Sequence, residues 1–340
     1  MYIEACVSSI LTQEEPPGGV EIIVADGMSD DGTRELLHRL LENEPRLILV
    51  DNPARIKPHG VNAAIQIARG RYIAIMDAHH RYAEDYLQQA VKVSEQTGAD
   101  NVGGAMFCEA DGYVQRAVAA AFHHPFSVGG ARWHNPDFEG STDTVYGGVY
   151  RREVFDRIGL FDEELVRNQD DELNLRLIRA GGKIWQSPSI KSWYSPRGSL
   201  SSLFQQYYQY GFWKVKVIRK HHLPASVRHL APGLFVLTFI LLCIVTFIGA
   251  ATYYFTHVPV IGKIVNISVI LFLIQAGIYL LVNLSASIHI SVKRDWKLLP
   301  VLPLVFACFH FGYGLGFLEG VLDFIILNRS PSTAKYKITR

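Results

Sequence analysis

The sequence predicts an α/β fold, a doubly wound and mostly parallel sheet, followed by C-terminal transmembrane helices. Three observations lead there. From Met1 to about Leu200, short apolar runs alternate with helical periodicities, the pattern of a parallel sheet covered on both faces. Charge then disappears: between residues 231 and 290 the only Asp, Glu, Lys or Arg is Lys263. The whole chain of 340 residues is 19% charged, against about 25% in an ordinary soluble domain. That length suits about two folded units. The local shortage of charge argues against a wholly soluble protein, and the ordinary N-terminal part argues against a transporter with most of its mass in lipid. A net charge of +1 offers no basic excess for nucleic acid. Cys6, Cys108, Cys243 and Cys308 have no metal-ligand spacing, so buried reduced thiols are expected rather than a disulfide framework.

Taken in order, the first element is a helix. Ile3, Cys6, Val7, Ile10 and Leu11 recur at helical spacing almost from Met1. No charged region and cleavage site accompany them, so this is not a signal peptide. A Pro-Pro-Gly-Gly turn leads to a buried strand at residues 20–25, and Ser29-Asp30-Asp31-Gly32-Thr33 supplies cap chemistry for the next helix. Strands at 47–50, 72–76 and near 101–106 then alternate with helices near 61–68 and 84–96. Such a sheet rarely opens with a helix, so a first strand preceding Met1 is expected to be missing. Residues 122–146 read as a long loop, a length usually reserved for functional or mobile segments. Helices near 152–158 and 170–179 follow, the second closed by Gly181-Gly182.

Residues 203–222 form a helix with aromatics first and cations last, which suits the headgroup level of a membrane, with a surface helix of the soluble domain as the lesser alternative. Segments 234–255 and 264–284 each reach the roughly 20 apolar residues needed to cross a bilayer core. Segment 298–317 is a third candidate, crossing or re-entrant, because Pro300, Pro303 and His310 interrupt it. Lys293, Arg294 and Lys297 put one basic side with the soluble domain, which is then cytoplasmic. The expected organisation is a catalytic domain at 1–198, an amphipathic interfacial helix at 199–229, a transmembrane region of two or three spans at 230–328, and a basic tail at 329–340.

Two clusters carry chemistry. Asp26 and Asp77 end apolar strands, where open parallel sheets bind ligands. In Asp77-Ala78-His79-His80 a carboxylate and an imidazole stand two residues apart, which leaves open both a divalent-cation site and a turn with solvent-facing histidines. Asn168-Gln169-Asp170-Asp171-Glu172 opens a helix. Acids there suit the helix dipole, yet three in a row exceed the needs of capping and leave room for a catalytic base.

Together these residues resemble a known family. Val24-Ala25-Asp26-Gly27 with Ser29-Asp30-Asp31-Gly32-Thr33 is similar to the first nucleotide-binding signature of inverting family-two glycosyltransferases of the GT-A fold. Gly60-Val61-Asn62-Ala63-Ala64 and Ala68-Arg69-Gly70 match that family's next helix, and Met76-Asp77-Ala78-His79 falls at its metal-binding Asp-X-Asp motif. Phe161-Asp162-Glu163, Gln169-Asp170-Asp171-Glu172-Leu173 and Arg176-Leu177 resemble its acceptor-side helix. The Asp-Ala-His variant and the C-terminal spans look most like the succinoglycan-biosynthesis branch. The resemblance implies a membrane-bound transferase moving a sugar from a nucleotide-sugar, UDP-linked, to a polyprenyl-diphosphate-linked saccharide in cell-surface glycan synthesis. It implies that Asp26 contacts uracil or ribose, Asp77 the ribose and diphosphate, and that Asp77 and His79 hold Mn2+ or Mg2+. Asp170 takes the place of the catalytic base, with Asp171 and Glu172 on the acceptor side. Gln206 and Tyr210 stand where processive relatives carry Gln-X-X-Arg-Trp, but Arg and Trp are absent, which argues against a polymer synthase. The family's final His ligand is also absent, and Arg197 either stabilises diphosphate instead or is a surface arginine. The competing readings are a catalytically impaired sugar-nucleotide-binding scaffold and a metal-dependent hydrolase using His79 and His80.

Overall fold

The computed structural model describes residues 2–78, 80–129, 131–223, 226–329 and 331. It divides into two units, one of Met1–Ala110 and Ala131–Pro196, the other of Asp111–Gly130 and Arg197–Arg340. The expected boundary near 198 is thus crossed once more, because residues 111–130 leave the first unit and pack with the second.

In chain order the elements begin with α1 (Tyr2–Leu11), β1 (Ile22–Asp26), α2 (Thr33–Asn43), β2 (Leu47–Asp51), α3 (Lys57–Ile67), β3 (Tyr72–Ala74) and β4 (His80–Tyr82). Next come α4 (Tyr86–Thr97), β5 (Asn101–Gly104), β6 (Met106–Cys108), α5 (Tyr113–Phe122) and α6 (Pro125–Val128). The first unit resumes with β7 (Gly140–Ser141), β8 (Tyr146–Arg151), α7 (Glu153–Ile158), α8 (Gln169–Arg179), β9 (Ile184–Gln186) and β10 (Ser192–Tyr194). The segment read as one long loop therefore contains α6, a 3-10 turn at Arg132–His134 and β7.

Pairing in the first unit is mixed. A sheet ordered β3-β8-β5-β9-β7 has β5 parallel to β9, while β8 runs antiparallel to both of its neighbours. A smaller sheet is ordered β4-β10-β6, and β1 and β2 pair in parallel as a sheet of their own. Helices cover both faces. Val149 joins a core with Tyr86, Ala90 and Val102 beneath α1 and α4, whereas its neighbour Tyr150 joins Ile65, Val154, Leu173 and Leu177 beneath α3, α7 and α8. That alternation is the period of two of a strand. The strand expected near 101–106 splits because Gly103 and Gly104 lie against Val145, Tyr146 and the Ile190 carbonyl, where a Cβ has no room. The ladder to β8 shifts register there.

The second unit adds α9 (Leu200–His221), α10 (Ala231–Thr256), α11 (Pro259–Lys293) and α12 (Leu302–Gly320), the last continuing as a π turn over Val321–Ile326. Among the described residues three segments, Val227–Thr256, Pro259–Lys293 and Leu302–Ile326, are long and apolar enough to cross a membrane. Pro303 falls in the first turn of α12, where the missing N–H costs nothing, so it starts the helix rather than breaking it. Helices α10 and α11 are joined by polar contacts typical of apolar bundles, Thr246 to Ser268 at 2.9 Å and Gln275 to the Phe235 carbonyl at 3.0 Å.

The helix expected at 199–229 spans Leu200–His221, with a 3-10 turn at Val227–His229. Phe212 and Trp213 of α9 are fully buried, and the helix lies backbone to backbone on α12. Gly211 abuts the Tyr313 carbonyl, while Gly312, Gly316 and Gly320 abut those of Phe204, Tyr208 and Phe212. Small residues on α12 permit that approach, so Phe212 and Trp213 are packed inside this unit, while Phe204, Tyr207, Tyr208 and Tyr210 stay half-buried.

Candidate active site

Asp26 ends β1 and is 5% exposed. Its carboxylate accepts the Ser29 hydroxyl at 2.6 Å, the Ser29 amide at 3.1 Å and an Arg34 guanidinium N–H at 2.9 Å. Arg34 also bonds Asp51 at 2.5 Å. Burial pushes the Asp26 carboxyl up, but the Ser29 bonds and the Arg34 charge together hold it below the usual carboxylate value. Arg34 and Ser29 hold the Asp26 carboxylate beneath the Gly27–Ser29 loop.

Asp77 follows β3. Its backbone is held on all sides: the Tyr82 hydroxyl accepts its N–H at 2.8 Å, and its carbonyl accepts from the His80 amide at 3.1 Å and the Cys6 thiol at 3.7 Å. Burial and then the Asp77 charge push the Cys6 thiol up to about 11, so it stays protonated and unreactive. The Asp77 carboxylate forms an ion pair with Lys57. Sequence reasoning overlooked Lys57, because only the fold brings a residue 20 positions earlier to this strand end.

Helix α3 connects these parts. Gly60 in its first turn has no room for a Cβ, with Asn52 Nδ2 at 2.8 Å and Ala25 Cβ at 3.0 Å from that position. The start of α3 therefore sits on the carboxyl ends of β1 and β2 while its Lys57 reaches the end of β3. Asn62 on the same helix donates to the Phe161 carbonyl at 2.9 Å and accepts the Phe161 amide at 3.0 Å. His59 and Asn62 both contact Glu163, at 3.2 and 3.0 Å. One helix thus ties the three strand ends to the segment that leads into α8.

Helix α8 is pinned by Asn174, which accepts from Asn101 at 2.9 Å and Tyr150 at 3.2 Å and donates to Thr144 at 2.8 Å. Asp170 lies one turn earlier on the same face and is exposed, with its carboxylate accepting the Asp171 amide at 2.9 Å. Asp171 is half-buried. Glu172, expected on the acceptor side, is corrected: it is wholly buried and holds Arg176 by bonds of 2.8 and 3.0 Å. An acceptor has no access to it.

His79 lies outside the described residues. His80 is corrected as a candidate metal or hydrolytic group, since it is buried in β4, stacked on Tyr194 with ring centroids 5.1 Å apart, and bonded to the Tyr146 hydroxyl. Among the described residues no three of His, Cys, Asp and Glu converge as a metal cage. Asp77 is a strand-end carboxylate, the hard oxygen donor that Mg2+ and Mn2+ take beside phosphate oxygens. The donor set fits an ion shared with a diphosphate and does not fit one held by protein alone. Arg197, Gln206 and Tyr210 belong to the second unit, where the Gln206 amide donates to the Tyr210 hydroxyl at 3.0 Å.

Comparison with known proteins agrees with this geometry. Residues 1–159 match the model of Glycosyl transferase family 2. The chain is 34% identical over 233 residues to the succinoglycan biosynthesis protein ExoA of Rhizobium meliloti, covering 68% of this chain and 70% of that protein. It is 26% identical over 328 residues to the dolichyl N-acetyl-alpha-D-glucosaminyl phosphate 3-beta-D-2,3-diacetamido-2,3-dideoxy-beta-D-glucuronosyltransferase of Methanococcus voltae, covering 94% and 93%. Its fold is similar to that of a mannosyltransferase from Pyrobaculum calidifontis solved with GDP-Man and Mn2+, with a TM-score of 0.54, 19% identity and coverage of 92% and 83%. The GT-A-type α/β domain, its ordered motifs and these relatives together show that the chain belongs to glycosyl transferase family 2 and is a glycosyltransferase.

Proposed function

We propose that this transferase moves a sugar from a UDP-sugar to a lipid-linked saccharide at the inner face of a cell membrane, inverting the anomeric carbon. The observation that carries the reading is the convergence made by α3, which ties the ends of β1, β2 and β3 to the approach to the exposed Asp170. The relatives' names point the same way: one serves succinoglycan biosynthesis, the other acts on a dolichyl-linked N-acetylglucosaminyl phosphate. The apolar segments of the second unit would hold the enzyme where such an acceptor resides.

In this mechanism the nucleoside lies over the loop shaped by Asp26, and Lys57 turns from Asp77 to the donor diphosphate. A divalent ion, held by Asp77 and His79 together with diphosphate oxygens, would neutralise charge on the leaving UDP. Asp170 accepts the proton of the acceptor hydroxyl as that oxygen attacks the face opposite UDP. Both donor-side carboxylates are ion-paired here, Asp26 with Arg34 and Asp77 with Lys57, which favours a second reading as an impaired sugar-nucleotide-binding scaffold. UDP release by the full chain, measured across a panel of UDP-sugars with a polyprenyl-diphosphate saccharide, separates the two. Release with one donor, abolished by EDTA and restored by Mn2+, is expected. Binding of UDP-sugars without release would establish the scaffold, and full turnover in EDTA would remove the metal.

A further inference from the structure

We propose that His124, His289 and Lys293 form a binding site for the phosphate of an anionic membrane lipid. His124 stands at the start of α6 and its Nδ1 accepts the Phe126 amide N–H at 3.2 Å. A neutral ring therefore keeps its proton on Nε2, which faces His289 Nδ1 at 3.4 Å, the rings edge to face with centroids 5.5 Å apart. Lys293 follows His289 by one turn on the same face of α11. Burial, then the neighbouring charges of His289 and Lys293, push His124 below the usual histidine value. Lys293 thus brings a positive charge to two imidazoles, and among the described residues no acid forms an ion pair with it. Asp295, the nearest acid in sequence, caps the Lys297 amide at 2.9 Å and faces Arg116 at 3.9 Å. Among the described residues Lys293 and Arg294 have no ion-pair partner.

Depth selects the ligand, and this step rests on the membrane reading above. Helix α11 has 35 residues, more than the roughly 20 that a bilayer core takes. If residues 264–284 occupy that core, His289 lies about 7 Å beyond it, at headgroup level. Trp296, 58% exposed just past Lys293, is placed as an interfacial aromatic. A metal is the weaker occupant, because Lys293 repels a cation and among the described residues no third ligand converges. With its Nδ1 accepting from His124, His289 keeps its proton on Nε2, and a phosphate takes that N–H and the Lys293 ammonium together.

The test uses the full chain exchanged into nanodiscs of phosphatidylcholine mixed with phosphatidylglycerol, with bound lipid counted by mass spectrometry. The parent should retain phosphatidylglycerol in excess over the mixture. Lys293→Gln should cut that excess about fivefold, the effect of one interfacial charge, and Lys293→Arg should restore it. His289→Ala should lower it as well, and both side chains are exposed, so folding is spared. An unchanged excess in Lys293→Gln with His289→Ala would overturn the proposal. So would displacement of the lipid by millimolar inorganic phosphate, which would make this a soluble-phosphate site. Extraction of the chain from membranes by carbonate would overturn the membrane reading itself, a result distinct from loss of lipid preference.

Discussion

Asp170, Glu172 and Asp26 show how differently three carboxylates in one unit behave. Asp170 is exposed and its carboxylate accepts the next amide of its own helix, a bond that an Asn side-chain oxygen can also accept, so Asp170→Asn keeps the shape of the turn. As the base it cannot be replaced, and turnover should fall by roughly 10² to 10⁴ with UDP-sugar affinity retained; near-normal turnover would move the base elsewhere. Glu172→Ala should instead destabilise the fold by about 3 kcal/mol, since it strands Arg176 beside a buried cavity. Chemical denaturation of the detergent-solubilised chain measures that loss. Asp26 links stability to pH. Its carboxyl lies below the usual value when folded, so its contribution is complete above the ordinary carboxylate pKa and is lost as pH falls through the depressed one. Thermal midpoints between pH 6 and pH 3 (roughly the carboxylate range) should fall less steeply for Asp26→Asn than for the parent. These roles were only partly legible. Asp26, Asp77 and Asp170 stand out at strand ends and a helix start, whereas Lys57 and Asn62 carry no local signal and gain their roles from partners distant in the chain.

Among the elements, α9 and α12 illustrate what pattern alone does not say of a helix. The aromatics and cations of α9 have the composition of a surface-lying helix, but composition does not record that Gly312, Gly316 and Gly320 on α12 leave a track for its backbone. Gly316→Val should test that contact, because its side chain would meet the Tyr208 carbonyl directly. A loss of about 1–3 kcal/mol, typical of overpacking, should appear as a lower thermal midpoint in detergent, while Gly277→Val, open on all sides, should have little effect. Helix α3 is the counterpart in the first unit. Its periodicity is visible in sequence, its start is seen only when Pro58 is read as an initiator, and its function as a clamp depends on Gly60 and Asn62.

For the molecule as a whole, the membrane reading makes one decisive prediction. Basic residues precede α10 and follow α11, so both of those ends should face the cytoplasm and the turn between α10 and α11 the other side. A reporter fused near Val258 should read extracytoplasmic, and a cytoplasmic signal would reverse the orientation of the catalytic unit. The alternation of strands and helices, the apolar segments and the acidic start of α8 follow from the chain itself, because each depends on neighbours a few residues apart. Pairing and partnership do not. That β8 runs antiparallel between β3 and β5, and that residues 111–130 leave one unit for the other, depends on contacts between distant segments. Asn62 and Phe161, 99 residues apart, meet through two hydrogen bonds that no local periodicity encodes. Residue types with the chemistry for a site can be read locally, but which of them are exposed, neutralised or buried is decided when packing removes water and supplies each charge with its partner.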